Sequence, residues 1–295
     1  MTVINTNVSA TLASNAIVRN ERAMGTAMER LSTGKRINSA ADDAAGLAIA
    51  TKMSSQVKGL EQAARNASDA ISMVQTVEGA AKEILNIFTR MKELAVQSNS
   101  GTYSATDRAA LDLEFNELRN EVNRIAENTE WNGKKLMDGA AAGNAGAGAV
   151  PTAINIQVGA GASQTMAISV KDWAVDYANT ANSAYGSTTT ALNAAGVGVD
   201  SQANATTSIV ALDEAIAGAS AEVAKYGAYI NRLEHASDNL LNVALNTDAS
   251  RSRIEDADYA AETSELAKTQ IIAQAGTAML AQANQIKQTV LALLQ

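Results

Sequence analysis

The only histidine in this chain, His235 in "NRLEHASDN", is the first place to look for chemistry. An imidazole can move protons or bind a metal near neutral pH, but both tasks need partners, and the zinc signature H-E-x-x-H is absent. His235 falls two residues past the apolar Leu233, so it is expected on a surface or in a groove. Cysteine is missing, which removes disulfides, thiolate nucleophiles and cysteine metal sites together. The adjacent carboxylates Asp42 and Asp43 in "ADDAAG" invite a cation, yet neighbours on a helix point about 100° apart and rarely share one ion. Helix-start carboxylates favoured by the macrodipole are the expected reading. With no histidine cluster and no phosphate-binding glycine motif, neither an enzyme nor a cofactor is expected.

The remaining polar clusters read as surfaces. Arg251, Arg253, Glu255, Asp256 and Asp258 in "SRSRIEDADYAAE" form either a solvated helix face or charges that set lateral register in an assembly. Asn7, Asn66 and Asn204 begin N-x-S/T triplets, of which Asn7 and Asn66 lie in helical packing segments and read as chance. A formal charge of −8 leaves no basic field for phosphates, so no nucleic-acid partner is expected.

These groups sit on elements that the apolar spacing makes plain. Ala67, Ala70, Val74, Val77, Ala81, Ile84, Phe88, Met91 and Ala95 recur at alternating steps of three and four, an a/d seam about four heptads long. After the turn-like "SNSGTYSATDR", Leu111, Phe115, Leu118, Val122 and Ile125 predict an antiparallel return helix. The longest seam, from Ile209 through Leu212, Ile216, Ala219, Val223, Tyr226, Ile230, Leu233, Ser237 and Leu240 to Ala244, implies a rod of roughly 50 Å. Between them, Ile154, Ile156, Val158 and then Met166, Ile168, Val170 alternate around a glycine-containing turn and predict a β-hairpin at about 154–170. The fold class is therefore mainly α: long antiparallel helices in a coiled-coil or bundle rod with a small β-hairpin region. Aromatics at 3% and one proline fit helices packing through small side chains.

Both ends of the chain are helical and under-covered. Ala13, Ile17, Asn20, Met24, Ala27 and Leu31 form a weaker seam, and Met279, Ala283, Ile286, Val290 and Leu293 line a stripe that runs almost to the last residue. With Lys287 and several glutamines the tail is too polar to span a membrane, and its polar face lacks the basic residues of an interfacial helix. No membrane partner is expected. The simplest cover is the two ends against each other and against further copies of the chain. The N-terminal "MTVINTNVSATLASNAIVRNERAM" has neither a basic n-region nor an apolar h-region, so no cleaved signal peptide is expected.

The segments "INTN", "LSTGKRINSAADDAAGLAIA", "KELAVQS", "WNGKKLMDG", "IQVGAGASQTMAISV" and "ASRSRIEDADYAAETSELAKTQIIAQAGTAMLAQANQ" closely resemble bacterial flagellin. The resemblance covers nearly the whole chain except about 140–152 and 176–208. It implies a structural subunit that polymerises into the flagellar filament, with swimming motility as its purpose. A terminal coiled-coil domain, 1–42 plus 255–295, would line the inner tube through Ile17, Met24, Leu31, Ile272, Met279, Ile286, Val290 and Leu293. A rod domain, 43–175 plus 205–254, and a short variable surface segment, 176–204, complete it, so the outer domains of large relatives would be essentially missing.

The same resemblance implies extracellular localisation in the filament, reached through the flagellum's own type III channel, and partners in the flagellar cap and hook-junction proteins. A secretion chaperone would cover the C-terminal tail beforehand. A host Toll-like receptor reads a patch that falls here on Arg90, Glu93, Leu94, Gln97 and Glu114, with Thr89 in place of the glutamine that enteric members carry. Ser187, Thr188, Thr189 and Thr190 lie where many relatives are O-glycosylated, and flexible-loop composition explains the cluster equally well. Lys287 stands where many members have proline, which predicts a straighter tail helix. The alternative function is a helical coiled-coil signalling or adaptor protein.

Overall fold

The computed structural model describes residues 7–137, 153–171, 173 and 196–292, with the backbone alone for 286–292. The elements are α1 Val8–Thr33, α2 Ala44–Asn99, α3 Ala105–Asn128, β1 Glu130–Trp131, β2 Lys134–Lys135, β3 Ala153–Gln157, β4 Thr165–Ser169, α4 Gln202–Glu255 and α5 Tyr259–Ala292. The chain divides into two compact units, Lys58–Ala244 and Met1–Val57 with Leu245–Gln295.

In the unit 58–244, every seam residue named on α2 is at most 2% exposed, from Ala67 to Ala95. Phe115 and Val122 of α3 and Leu212, Ala219, Tyr226 and Leu233 of α4 join the same core, with Leu111, Leu118, Ile125, Ile209, Ile216, Val223 and Ile230 packed at its margin. The α4 face is wider than a two-position seam, because Ala211, Ala215 and Glu222 are buried as well. Leu240 and Ala244 form a second cluster with Leu60, Ala63 and Ala64. Alanines such as Ala67, Ala81, Ala95 and Ala219 let the helices approach closely between the larger Ile84, Phe88, Met91, Leu212 and Tyr226.

Local signals explain where the elements begin and end. Ser104 and Asp107 form a capping box at the start of α3, the Asp107 carboxylate accepting from the Ser104 amide at 3.0 Å. Asn132 and Gly133 adopt φ values of 50° and 74° between β1 and β2, as expected of an Asn-Gly turn in a two-residue hairpin. The predicted hairpin is β3 and β4, paired antiparallel with Ile154 opposite Ile168 and Ile156 opposite Met166. Met166 and Ile168 turn into the core while Thr165 and Ala167 face out. The start of α2 refines the reading of the acidic pair. Asp43 caps that helix by accepting from the Gly46 amide at 2.8 Å, whereas Asp42 clamps the preceding turn by accepting from the Ser39 and Asn38 amides at 2.8 and 3.1 Å.

One polar knot sits inside this unit. Trp173, fully buried, donates its indole N–H to the Tyr226 hydroxyl at 3.1 Å. Beside it, the Glu222 carboxylate, with its side chain 7% exposed, is held by Lys171 at 3.0 Å and lies 3.7 Å from Lys225. A buried carboxylate needs such partners, since an unpaired one costs several kcal/mol. Burial, and to a lesser degree the Glu222 charge, push the Tyr226 phenol well above its usual range, against the lowering effect of the Trp173 bond. A folded-state pKa above the unfolded value gives stability that is complete below pH about 10 and lost as pH rises through that window. Wild type is accordingly expected to lose stability more steeply above pH 10 than Tyr226→Phe does. Urea melts at pH 8 and pH 11 check this, and parallel losses in the two proteins would refute it.

Candidate functional site

The feature left over after the core is accounted for is the pair α1 and α5. Asn7 caps α1 by accepting from the Ala10 amide at 3.2 Å, and Gly34 ends it in the left-handed conformation at φ 72°, its N–H donating to the Arg30 carbonyl. The half-buried residues of α1 include Ala10, Ala13, Ile17, Asn20, Met24 and Leu31, which with the fully buried Ala27 form a stripe with the predicted spacing, flanked by Thr26 and Arg30. On α5 the matching stripe is Glu262, Leu266, Thr269, Ala273, Gly276, Leu280 and Ala283.

Four contacts fix the antiparallel register. Arg30 pairs with Glu262 at 3.0 Å, the Asn20 amide donates to the Thr269 carbonyl at 2.7 Å, and the Tyr259 hydroxyl donates to the Leu31 carbonyl at 2.8 Å. Near the ends, the Asn7 amide reaches the Ala283 carbonyl at 3.4 Å. At Gly276 the two helices are tightly packed, since a Cβ placed there would lie 2.9 Å from Ile17 Cγ1. The chain segments leading into and out of the pair are also tied together. The Arg36 amide donates to the Glu255 carbonyl at 2.7 Å, the Ala257 amide to the Gly34 carbonyl at 2.9 Å, and Lys35 pairs with Glu255 at 2.5 Å.

Ile17, Met24 and Leu31 thus lie on the face of α1 turned toward α5. Ile272 and Met279 do not lie on the facing stripe. They are 45% and 68% exposed, one residue before Ala273 and Leu280, which take the inward positions. The inward stripe of α5 mixes the small Ala273 and Gly276 with Leu266 and Leu280, and Ile272 and Met279 fall one position round the helix from it. With Val8, Leu12, Val18, Met28, Ile271 and Tyr259, each between 47% and 66% exposed, they place exposed apolar side chains on the outer surface of the pair. The side chains of Ile286 and Val290, and the whole of Leu293, lie outside the described residues.

The residues of the second expected site gather on α2 and α3. Arg90 bonds Glu114 at 2.9 Å and Glu93 at 3.0 Å, and Gln97 donates to the Tyr103 hydroxyl at 3.1 Å. Leu94 departs from expectation. At 1% exposure it is part of the core, so it supports this patch from below and cannot touch a partner. Thr89 spends its hydroxyl on its own helix, donating to the Leu85 carbonyl at 3.0 Å. The segment with Ser187, Thr188, Thr189 and Thr190 lies outside the described residues. His235 is exposed on α4. Among the described residues no helix is long and apolar enough to cross a membrane.

A helical chain whose two ends pair with each other and stay apolar outside is an assembly unit, and its relatives agree. Residues 4–142 match the bacterial flagellin N-terminal helical region, and residues 209–294 match the bacterial flagellin C-terminal helical region. This chain belongs to the bacterial flagellin family. The flagellin of Bacillus subtilis (strain 168) is 41% identical, with 99% of each chain covered. The flagellar filament 33 kDa core protein of Treponema phagedenis is 38% identical over 99% of this chain and 100% of its own. A solved structure assigned as a flagellar hook-associated protein of Vibrio parahaemolyticus shares the fold at 13% identity and a TM-score of 0.57, covering 73% of this chain and 100% of its own. Flagellins of this length are therefore a recurring form, and the family is one of structural proteins.

Proposed function

We propose that this chain is the structural subunit that polymerises into the bacterial flagellar filament and so serves swimming motility. The observation that carries the reading is the terminal pair: α1 and α5 satisfy each other along one stripe and leave Leu12, Ile271 and Met279, among others, 62%, 66% and 68% exposed. Large exposed apolar surfaces mark binding sites, and further copies of the same pair supply a matching surface. On this reading residues 1–42 and 255–295 form the inner-tube domain, 43–175 with 205–254 form the rod, and 176–204 form a short surface segment. Ile272 and Met279 belong to contacts between subunits, and Ile17, Met24 and Leu31 to the pair within one.

Extracellular placement through the flagellar type III channel, a chaperone on the tail, and contacts with cap and hook-junction proteins follow from the same reading as proposals. The exposed Arg90–Glu114–Glu93 group with Gln97 supports a further proposal, recognition by a host Toll-like receptor.

Salting out the purified monomer and imaging it by electron microscopy tests the assembly reading. Uniform hollow filaments are expected. A stable monomer or small oligomer under all salt conditions would sink the reading and move the weight to the adaptor alternative.

A further inference from the structure

The outer surface of the terminal pair carries a reactive atom in an unusual setting. The chain has nine methionines and no cysteine, so its sulfur chemistry is all thioether. Met73, Met91, Met137 and Met166 are no more than 9% exposed. Met24 and Met53 are half-buried. Met279 is 68% exposed, more than Met28 at 55%. The register set by Asn20 against Thr269 and Asn7 against Ala283 puts Leu12, itself 62% exposed, at the level of Met279 across the pair. Met28, by contrast, lies two residues before Arg30, whose ion pair with Glu262 already makes that level polar.

Taking the outer face as the assembly surface, as proposed above, we infer that Met279 is an oxidation site through which a peroxide-class oxidant blocks subunit association. The sulfur lone pair attacks one peroxide oxygen, the O–O bond breaks, and a sulfur–oxygen bond forms. After proton transfer the second oxygen leaves as water, so the thioether is oxidised by two electrons and the peroxide is reduced by two. The product, a sulfoxide, is a strongly polar acceptor where a flexible apolar side chain stood. Packed against a neighbouring subunit it would have to shed its water, which is unfavourable for any polar group left unpaired. Buried methionines in the unit 58–244 are shielded, so a low dose leaves the monomer's own fold intact.

The test treats full-length monomer with dilute hydrogen peroxide, quenches it, maps sulfoxides by peptide mass spectrometry and measures the critical concentration for polymerisation. Sulfoxide at residue 279 with unmodified Met73, Met91, Met137 and Met166 is expected, together with a critical concentration raised about tenfold or more. Met279→Leu should polymerise normally and keep its critical concentration within about twofold after the same treatment, a volume-conserving swap being well tolerated. Methionine sulfoxide reductase should restore the wild type. Equal polymerisation of oxidised and untreated wild type would overturn the inference, as would equal losses in wild type and Met279→Leu. Failure of the untreated protein to polymerise would overturn the assembly reading itself, and this inference with it.

Discussion

Gly276→Leu is expected to separate the terminal helices and abolish polymerisation while the unit 58–244 keeps its stability. Even a bare Cβ at this position would stand 2.9 Å from Ile17 Cγ1, and leucine extends three carbons further into the same gap. Overfilling a packed contact costs about 1–3 kcal/mol, and here it acts between the two paired helices, with register-setting bonds at Asn20–Thr269 and Asn7–Ala283 on either side. Gly276→Ala is the instructive control. It gains up to about 1 kcal/mol of helix propensity, and the overlapping atom belongs to a side chain that can turn, so near-neutral behaviour is expected. Sedimentation of polymer at fixed salt, with circular dichroism of the monomer, reads both effects. Wild-type polymerisation by Gly276→Leu would show that the pairing seen in one chain is not the pairing assembly needs.

Phe88→Ala is expected to be the most damaging single truncation in the other unit. The chain has only two phenylalanines, Phe88 and Phe115, and both are fully buried in one core. Removing a buried ring costs about 3–5 kcal/mol, part lost transfer energy and part cavity. Against a total stability of roughly 5–15 kcal/mol, the melting midpoint should fall by about 10 °C or more. A thermal melt followed at 222 nm measures it, and a shift under about 3 °C would mean that the site collapses without a cavity.

The seams differed in how well the sequence revealed them, and the cause is side-chain size. Along α2, from Ala67 to Ala95, the large apolar residues are also the inward ones, so spacing and burial coincide. Along α5 they part company. Weighting Ile272 and Met279 gives a heptad stripe one residue out of step with Ala273 and Leu280, because the inward stripe mixes Ala273 and Gly276 with Leu266 and Leu280, so side-chain size does not mark it. Leu94 was misplaced for a related reason: a matched motif gives identity without direction, and only its position three residues after Met91 on the helix turns it inward. Glu222 and Tyr226 show another limit. Tyr226 was legible as a seam residue, but a carboxylate buried next to it, answered by Lys171 from a distant strand end, leaves no trace in local spacing.

The pairing of α1 with α5 also makes the chain's far end a condition of its near end. Asn7 and Ala283 meet across 276 residues of sequence, one of the longest separations a contact in this chain can have. Contacts so distant in sequence form late, after the entropy of closing the loop has been met. While the chain is still being made, α1 has no mate, and the stripe of Ile17, Met24 and Leu31 is built for a partner that arrives last. A chain that stops short of α5 therefore carries α1 with its inward stripe uncovered. Competence to form the pair becomes a readout of synthesis through α5, a condition set by the topology of the fold itself.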